Sequence, residues 1–174
     1  MKLSFIAIIL MSSFAYGKTE SFVLPKTKPF KMNISEGWRA VPNLFGIPLA
    51  ILGPELKDKR PVLSVYPGEV NSKAISRTDL ESLFVDFKKE KELWMQDEGG
   101  TLKSYEPITK VSFGKNLSGH FIGAEYVLEG ETFVERSYYL YCKEELYNLK
   151  YTFRNDQLNH LKSAQQMVEN FQCD

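Results

Sequence analysis

The chain has 174 residues, with 22 Lys plus Arg against 22 Asp plus Glu, and therefore no net formal charge. That balance excludes the basic excess with which nucleic-acid binders release counterions from a phosphate backbone. With 43% apolar and 13% aromatic residues, the side chains can bury enough area to offset the entropy of ordering, which excludes a disordered chain and makes one globular domain the expectation.

Residues 1–17 have the pattern of a cleaved secretory signal. Met1 and Lys2 give a positive start, residues 3–11 are apolar apart from Ser4, and Ala15-Tyr16-Gly17 puts small residues at the two positions a signal peptidase inspects. The apolar run is too short for a membrane-spanning helix, which needs about 20 residues. No Cys stands near the cut, so a lipid-modified Cys anchor is not expected. The expected location is therefore periplasmic or secreted, with 18–29 a flexible lead-in and 30–174 a single domain.

Export gives the two cysteines their meaning, because thiols persist as disulfides outside the cytosol. Cys142 and Cys173 are the only pair, and neither sits in a Cys-x-x-Cys or a His-linked setting that would mark a reactive thiol. A structural disulfide between them is expected.

The lead-in is rich in Lys and carries two Pro. Phe30-Lys31-Met32-Asn33-Ile34 then alternates as a half-buried strand does, and Ser35-Glu36-Gly37 turns the chain into Trp38-Arg39-Ala40-Val41-Pro42. Residues 47–52, ended by Gly53-Pro54, and 61–66, ended by Pro67-Gly68, read as two more short strands.

Thr78-Asp79-Leu80-Glu81 has the spacing of a capping box, and Leu80, Leu83, Phe84, Phe87 and Trp94 recur at helical spacing up to Gly99-Gly100. On this helix the mixed-sign run Lys88-Lys89-Glu90-Lys91-Glu92 reads as the solvated face.

From 108 to 153 the period becomes two. Ile122, Ala124, Tyr126 and Leu128 alternate with Phe121, Gly123, Glu125 and Val127, and turns at Glu129-Gly130-Glu131 and Lys143-Glu144-Glu145 divide an antiparallel meander. Leu158, Leu161, Ala164, Val168 and Phe171 then have helical spacing, predicting a closing helix that lies over the sheet and carries Cys173 back to Cys142. Strands grouped apart from helices indicate an α+β fold.

This order of elements, with Phe30-Lys31-Met32-Asn33-Ile34-Ser35-Glu36-Gly37-Trp38 as opening strand and turn and Pro61-Val62-Leu63-Ser64-Val65-Tyr66-Pro67 as a later core strand, resembles the PsbP-like superfamily. The resemblance covers most of residues 30–171, with Ser35-Glu36 standing where the family more often has Pro. It implies a central antiparallel sheet flanked by helices as an α/β/α sandwich, and a non-catalytic role in assembling or stabilising a partner. It carries over no binding residue, because members bind different partners through different surfaces.

Catalytic constellations are absent from the sequence. His120 and His160 lack any metal-ligand spacing. Gly114-Lys115-Asn116-Leu117-Ser118-Gly119 lacks the phosphate-loop pattern and precedes a strand rather than a helix, and no Gly-x-Ser-x-Gly elbow exists. No cofactor or metal is expected. Glu125, Glu129, Glu131 and Glu135 are the best carboxylates for a small hydrolase, although a polar sheet face paired with Arg136 or Lys150 is the preferred reading. Tyr138, Tyr139, Tyr141, Tyr147 and Tyr151 cluster in one hairpin, with Tyr139 and Tyr141 on the face opposite Tyr138 and Leu140, and are expected to be packed by helices on both sides. The leading expectation is a monomeric, non-catalytic exported protein that binds or stabilises an envelope or secreted protein partner. The alternatives are the hydrolase and a carrier for a small apolar ligand. Asn33-Ile34-Ser35 and Asn116-Leu117-Ser118 match the glycosylation pattern, which matters only in a eukaryotic secretory pathway.

Overall fold

The computed structural model describes residues 17–56, 59–68, 77–113, 117–142 and 145–173. The expected signal segment, the side chains of the capping box at Thr78, Asp79 and Leu80, and Asn116 lie outside the described residues. The strands are β1 (Lys18–Phe22), β2 (Phe30–Ile34), β3 (Arg39–Leu44), β4 (Ile47–Leu52) and β5 (Val62–Pro67). Helix α1 (Arg77–Asp97) follows, then β6 (Thr101–Phe113), β7 (Leu117–Leu128), β8 (Glu131–Cys142) and β9 (Glu145–Arg154). A 3-10 turn over Asn155–His160 leads into α2 (Leu161–Glu169), and β10 (Gln172–Cys173) ends the chain.

Seven strands form an antiparallel sheet in the order β3-β4-β5-β9-β8-β7-β6. The last meander strand inserts beside β5, with Val62 opposite Thr152 and Pro67 opposite Tyr147, so the two halves of the sequence share one sheet. Two hairpins turn on two residues each, Phe45-Gly46 and Glu129-Gly130, all four with positive φ. Positive φ at both positions gives the tight turn whose twist matches the flanking strands.

Alternation then sorts the side chains. Tyr147, Leu149, Tyr151 and Phe153 of β9 point to one face and are essentially fully buried, beside Leu63 and Val65 of β5 and Tyr138 and Leu140 of β8. This face is covered by α2, through Ala164, Met167 and Val168, and by a second, three-stranded sheet β1-β2-β10 that contributes Phe30, Met32 and Ile34. Phe30 stacks on Phe171 at 4.8 Å between ring centroids and meets Tyr147 edge-on at 5.1 Å. Burying each such ring removes apolar area worth about 1.5–3 kcal/mol from water. A helix alone was the expected cover; the small sheet shares that role because the alternating buried residues of β2 also need an apolar surface.

The expectation of a loose lead-in over 18–29 is corrected at its start. Lys18–Phe22 pairs along the whole of β2, from Lys18 opposite Ile34 to Phe22 opposite Phe30. Beyond it Leu24 is buried, and the Lys28 amide donates to both oxygens of Glu145 at 3.0 and 2.8 Å. The driving force is backbone pairing of an edge strand, which a polar sequence can satisfy as well as an apolar one.

At the other end Cys142, closing β8, and Cys173, in β10, are joined as a disulfide with Cα atoms 5.5 Å apart. On the opposite face α1 packs over β6 and β7, with Met95 against Ala124 and Tyr126 and with Phe87 and Tyr105 beside them. No described helix is long and apolar enough to cross a membrane.

Candidate functional site

Helix α1 covers only part of its face of the sheet, and a groove of about 510 Å³ runs between the helix and β8 and β9. Phe87, Glu90, Lys91 and Trp94 of α1 form one wall. The floor is made by alternate residues of two paired strands: Glu135, Ser137 and Tyr139 of β8 stand opposite Thr152, Lys150 and Asn148 of β9. Period-two alternation is what brings six polar side chains onto one face at this spacing.

The electrostatic centre is a buried triad. Lys91 Nζ donates to Glu135 Oε2 at 2.9 Å, and Lys150 Nζ lies 3.0 Å from Oε1. The Lys91 and Glu135 residues are 8% and 3% exposed, whereas the Lys150 side chain is open at 42%. The Lys91 ammonium also sits over the rings of Trp94 at 4.5 Å and Tyr126 at 4.9 Å, where the negative ring faces attract it. Burial holds Lys91 below the ordinary lysine value; Glu135 acts the other way, and Lys150 adds a smaller lowering. Burial raises the Tyr126 phenol, with Glu135 adding to it, and raises that of Tyr139, with Glu90 and Glu135 adding to it in spite of Asn148. Both phenols therefore stay protonated near neutral pH.

Lys91 is a correction to the solvated-face reading of α1. It occupies the turn position between Phe87 and Met95, so helical spacing turns it toward the sheet together with them. The missed signal is that spacing: Phe84, Phe87, Lys91 and Met95 continue one stripe.

The four meander glutamates have different fates. Glu129 and Glu131 are exposed at the β7-β8 turn, and Glu125 pairs with Lys103 at 3.2 Å on the surface. Only Glu135 enters the groove, paired with Lys150 as expected but also with Lys91. Arg136 does not join them, because alternation sends it to the other face of the sheet. There its Nε and Nη2 each donate to one oxygen of Glu106 at 2.5 Å, and its guanidinium lies 5.3 Å from the Phe121 ring. The Glu106 hydrogen bonds hold Arg136 above its ordinary value against the effect of burial. Gly123 lies beneath this pair, and a Cβ there would collide with Glu106 Oε2.

Several polar atoms of the α1 face have no hydrogen-bond partner among the described residues. Asn148 Oδ1 is one of them, whereas Glu135 Oε1 has the Lys150 ammonium before it at 3.0 Å. Farther along the same face, where Ser118 stands opposite Tyr141 and His120 opposite Tyr139, the Tyr141 hydroxyl and His120 Nδ1 are two more. Burial lowers His120 below its ordinary value, with Lys110 adding to it. His160 is elsewhere, edge-on to Trp38 at 6.3 Å, so the two histidines do not share a site. No group of three or more His, Cys, Asp or Glu among the described residues is arranged to hold a metal. The segment with Gly114, Lys115 and Asn116 lies outside the described residues.

Of the expected tyrosines, Tyr147 and Tyr151 are core. Tyr138 joins them on that face, its hydroxyl 3.5 Å from that of Tyr151, whereas Tyr139 faces the groove.

Neither a family model nor a curated protein matches the chain. Among solved structures, the chain is similar to the cyanobacterial PsbP (CyanoP) of Synechocystis sp. PCC 6803, with a TM-score of 0.57 and 13% identity over 94% of this chain and 96% of that one. It is also similar to LpqN of Mycobacterium tuberculosis, described as involved in cell envelope biogenesis, with a TM-score of 0.53 and 12% identity over 89% and 90% of the two chains. At these identities what is shared is the fold.

Proposed function

Starting from a PsbP-like fold, we propose that this is a non-catalytic exported protein that binds or stabilises an envelope or secreted partner, and that the groove beside α1 is its binding site. The observation that carries the reading is the groove itself: an open, preformed concavity with a buried charge triad and an acceptor, Asn148 Oδ1, left without a donor. Buried polar atoms are normally satisfied, so unsatisfied ones lining a concavity mark a place where a partner completes the bonding. Export is supported by the signal pattern of residues 1–17 and by the cysteine pair.

The two alternatives receive less support. A hydrolase would have to draw on Glu135, whose two oxygens face lysine ammonium groups at 2.9 and 3.0 Å, with Glu90 as the other carboxylate of the groove. A carrier for an apolar ligand needs an enclosed apolar cavity, whereas this groove is open and floored by charged and polar side chains.

Capture from an envelope fraction tests the proposal, with residues 18–174 as bait beside a Trp94→Ala bait. Reproducible enrichment of a partner that the variant fails to retain is the expected result. Equal retention by both baits would remove the groove from the reading.

A further inference from the structure

We infer that the groove takes a neutral saccharide, bound edge-on to its floor and face-on to Trp94. The inference rests on the proposed reading of the groove as the binding site and adds a ligand class to the protein partner expected from sequence.

The polar atoms of the floor decide the class. Asn148 Oδ1 is an acceptor without a donor, and Glu135 Oε1 already faces the Lys150 ammonium at 3.0 Å. Ser137, 4% exposed, lines the same floor, and its hydroxyl can donate or accept. An inorganic anion brings acceptors only and leaves Asn148 Oδ1 as it was. Charge favours neither ion, because the ammonium groups of Lys91 and Lys150 are matched in the groove by the carboxylates of Glu135 and Glu90. Uncharged hydroxyls suit both conditions: they donate to Asn148 Oδ1, and their oxygens accept from Lys150, whose side chain is open to the groove.

The wall supplies the other half of the recognition. Trp94 is 37% exposed while its ring is held edge-on to Tyr126 at 5.5 Å and by the Lys91 ammonium. A fixed and partly open indole face packs well against the apolar C–H face of a pyranose ring. Sugars carry both surfaces at once, a polar edge and an apolar face, and this groove presents their complements on adjacent walls. Its volume of about 510 Å³ falls within the range of about 300–1,000 Å³ typical of small-molecule sites.

The test is an amide-shift titration of the 18–174 chain with glucose and galactose, for a free sugar, and with maltotetraose, cellotetraose and chitotetraose, for the glycan chain of a polymer. A sulfated heparin hexasaccharide and spermidine serve as anionic and cationic controls. We expect at least one neutral sugar to shift Ser137, Tyr139, Asn148 and the Trp94 indole N–H, with tetrasaccharide stronger than monosaccharide if the source is a polymer. Trp94→Ala should weaken that binding at least about tenfold, and Ser137→Ala about three- to tenfold, since one good hydrogen bond or ring contact is worth that much. Ser137→Ala removes only a hydroxyl from the groove floor, and an unchanged urea midpoint for this variant makes the affinity change readable. Val85→Ala, on an exposed part of α1 outside the groove, should leave affinity unchanged. Silence of every neutral sugar up to about 10 mM, the edge of measurable affinity, overturns the inference, as does tighter groove binding of the hexasaccharide or spermidine. If the sugars are silent while capture still depends on Trp94, the ligand class fails and the groove reading stands. If capture also ignores Trp94, both fail.

Discussion

Lys91 and Glu135, one from α1 and one from the central meander, meet at 2.9 Å with both side chains buried. This pair is a buried ionic link between the helix and the sheet it covers, beside the hydrogen bond that the Tyr105 hydroxyl donates to the Lys88 carbonyl at 3.0 Å, and its two halves are unequally provided for. Glu135 keeps Lys150 if Lys91 is removed, whereas Lys91 has no other described carboxylate partner. Glu135→Gln should therefore be the more damaging change, at about 3 kcal/mol, because it strands a buried ammonium. Lys91→Met, which keeps the stem among Phe87, Trp94 and Tyr126, should cost less, and the double variant should cost less than the two singles summed. Urea midpoints of the four proteins check this; additive losses would show that the pair is not coupled.

The disulfide should act on the edge of the fold rather than on the groove. Cys142 and Cys173 close a separation of 31 positions, worth about 3–4 kcal/mol in the chain-entropy account. Replacing both by Ser should lower the urea midpoint accordingly. It should also release β10 from β2, so that amide exchange accelerates at Phe30 and Lys31, the residues opposite Cys173 and Gln172, and stays slow at Tyr151 in the centre of the sheet.

The meander, the helix stripe and the closing helix were legible because each rests on a periodicity that side-chain burial enforces. Tyr139 and Tyr141 stand opposite to Tyr138 and Leu140 for that reason alone. β1 was hidden because Lys18-Thr19-Glu20-Ser21 contributes backbone rather than side chains, and hydropathy does not register backbone pairing. The groove was half visible. Glu135 and Lys150 were paired in the reading from alternation, but Lys91 sat in a run of charges whose composition outweighed its position on the stripe. Arg136 misled for the converse reason: sequence adjacency to Glu135 places it on the opposite face, where Glu106, thirty residues earlier, is the partner.

His120 gives a pH dependence with a definite sign. Its folded-state value lies below the ordinary 6.5, through burial first and Lys110 second, so the unfolded chain takes up a proton at a pH where the folded chain does not. Stability from this residue is fully present above about pH 6.5 and declines as the pH falls through the window below it. The groups around it are Lys110 and Tyr139 on the neighbouring strands and the Tyr141 ring at 6.1 Å. Urea midpoints measured at about pH 7.5 and 5.5 should fall on acidification, and His120→Gln should reduce the fall. An unchanged slope would move the effect to another group.

Phe45 is the least suited residue for its place. It is 96% exposed at the tip of the β3-β4 hairpin with φ of 47°, and it precedes Gly46 with φ of 83°. A side chain that touches little offers no packing to offset a left-handed backbone that bulky residues adopt only under strain. Asn adopts this conformation readily and is favoured at the first central position of such a turn. Phe45→Asn should therefore stabilise the protein by about 1 kcal/mol, raising Tm by about 2–4 °C, whereas Gly46→Ala, with open space around the new Cβ but a forbidding φ, should lower it by a similar amount. A fall in Tm for Phe45→Asn would mean that the ring makes a stabilising contact, and would direct attention to the hairpin tip as a surface of its own.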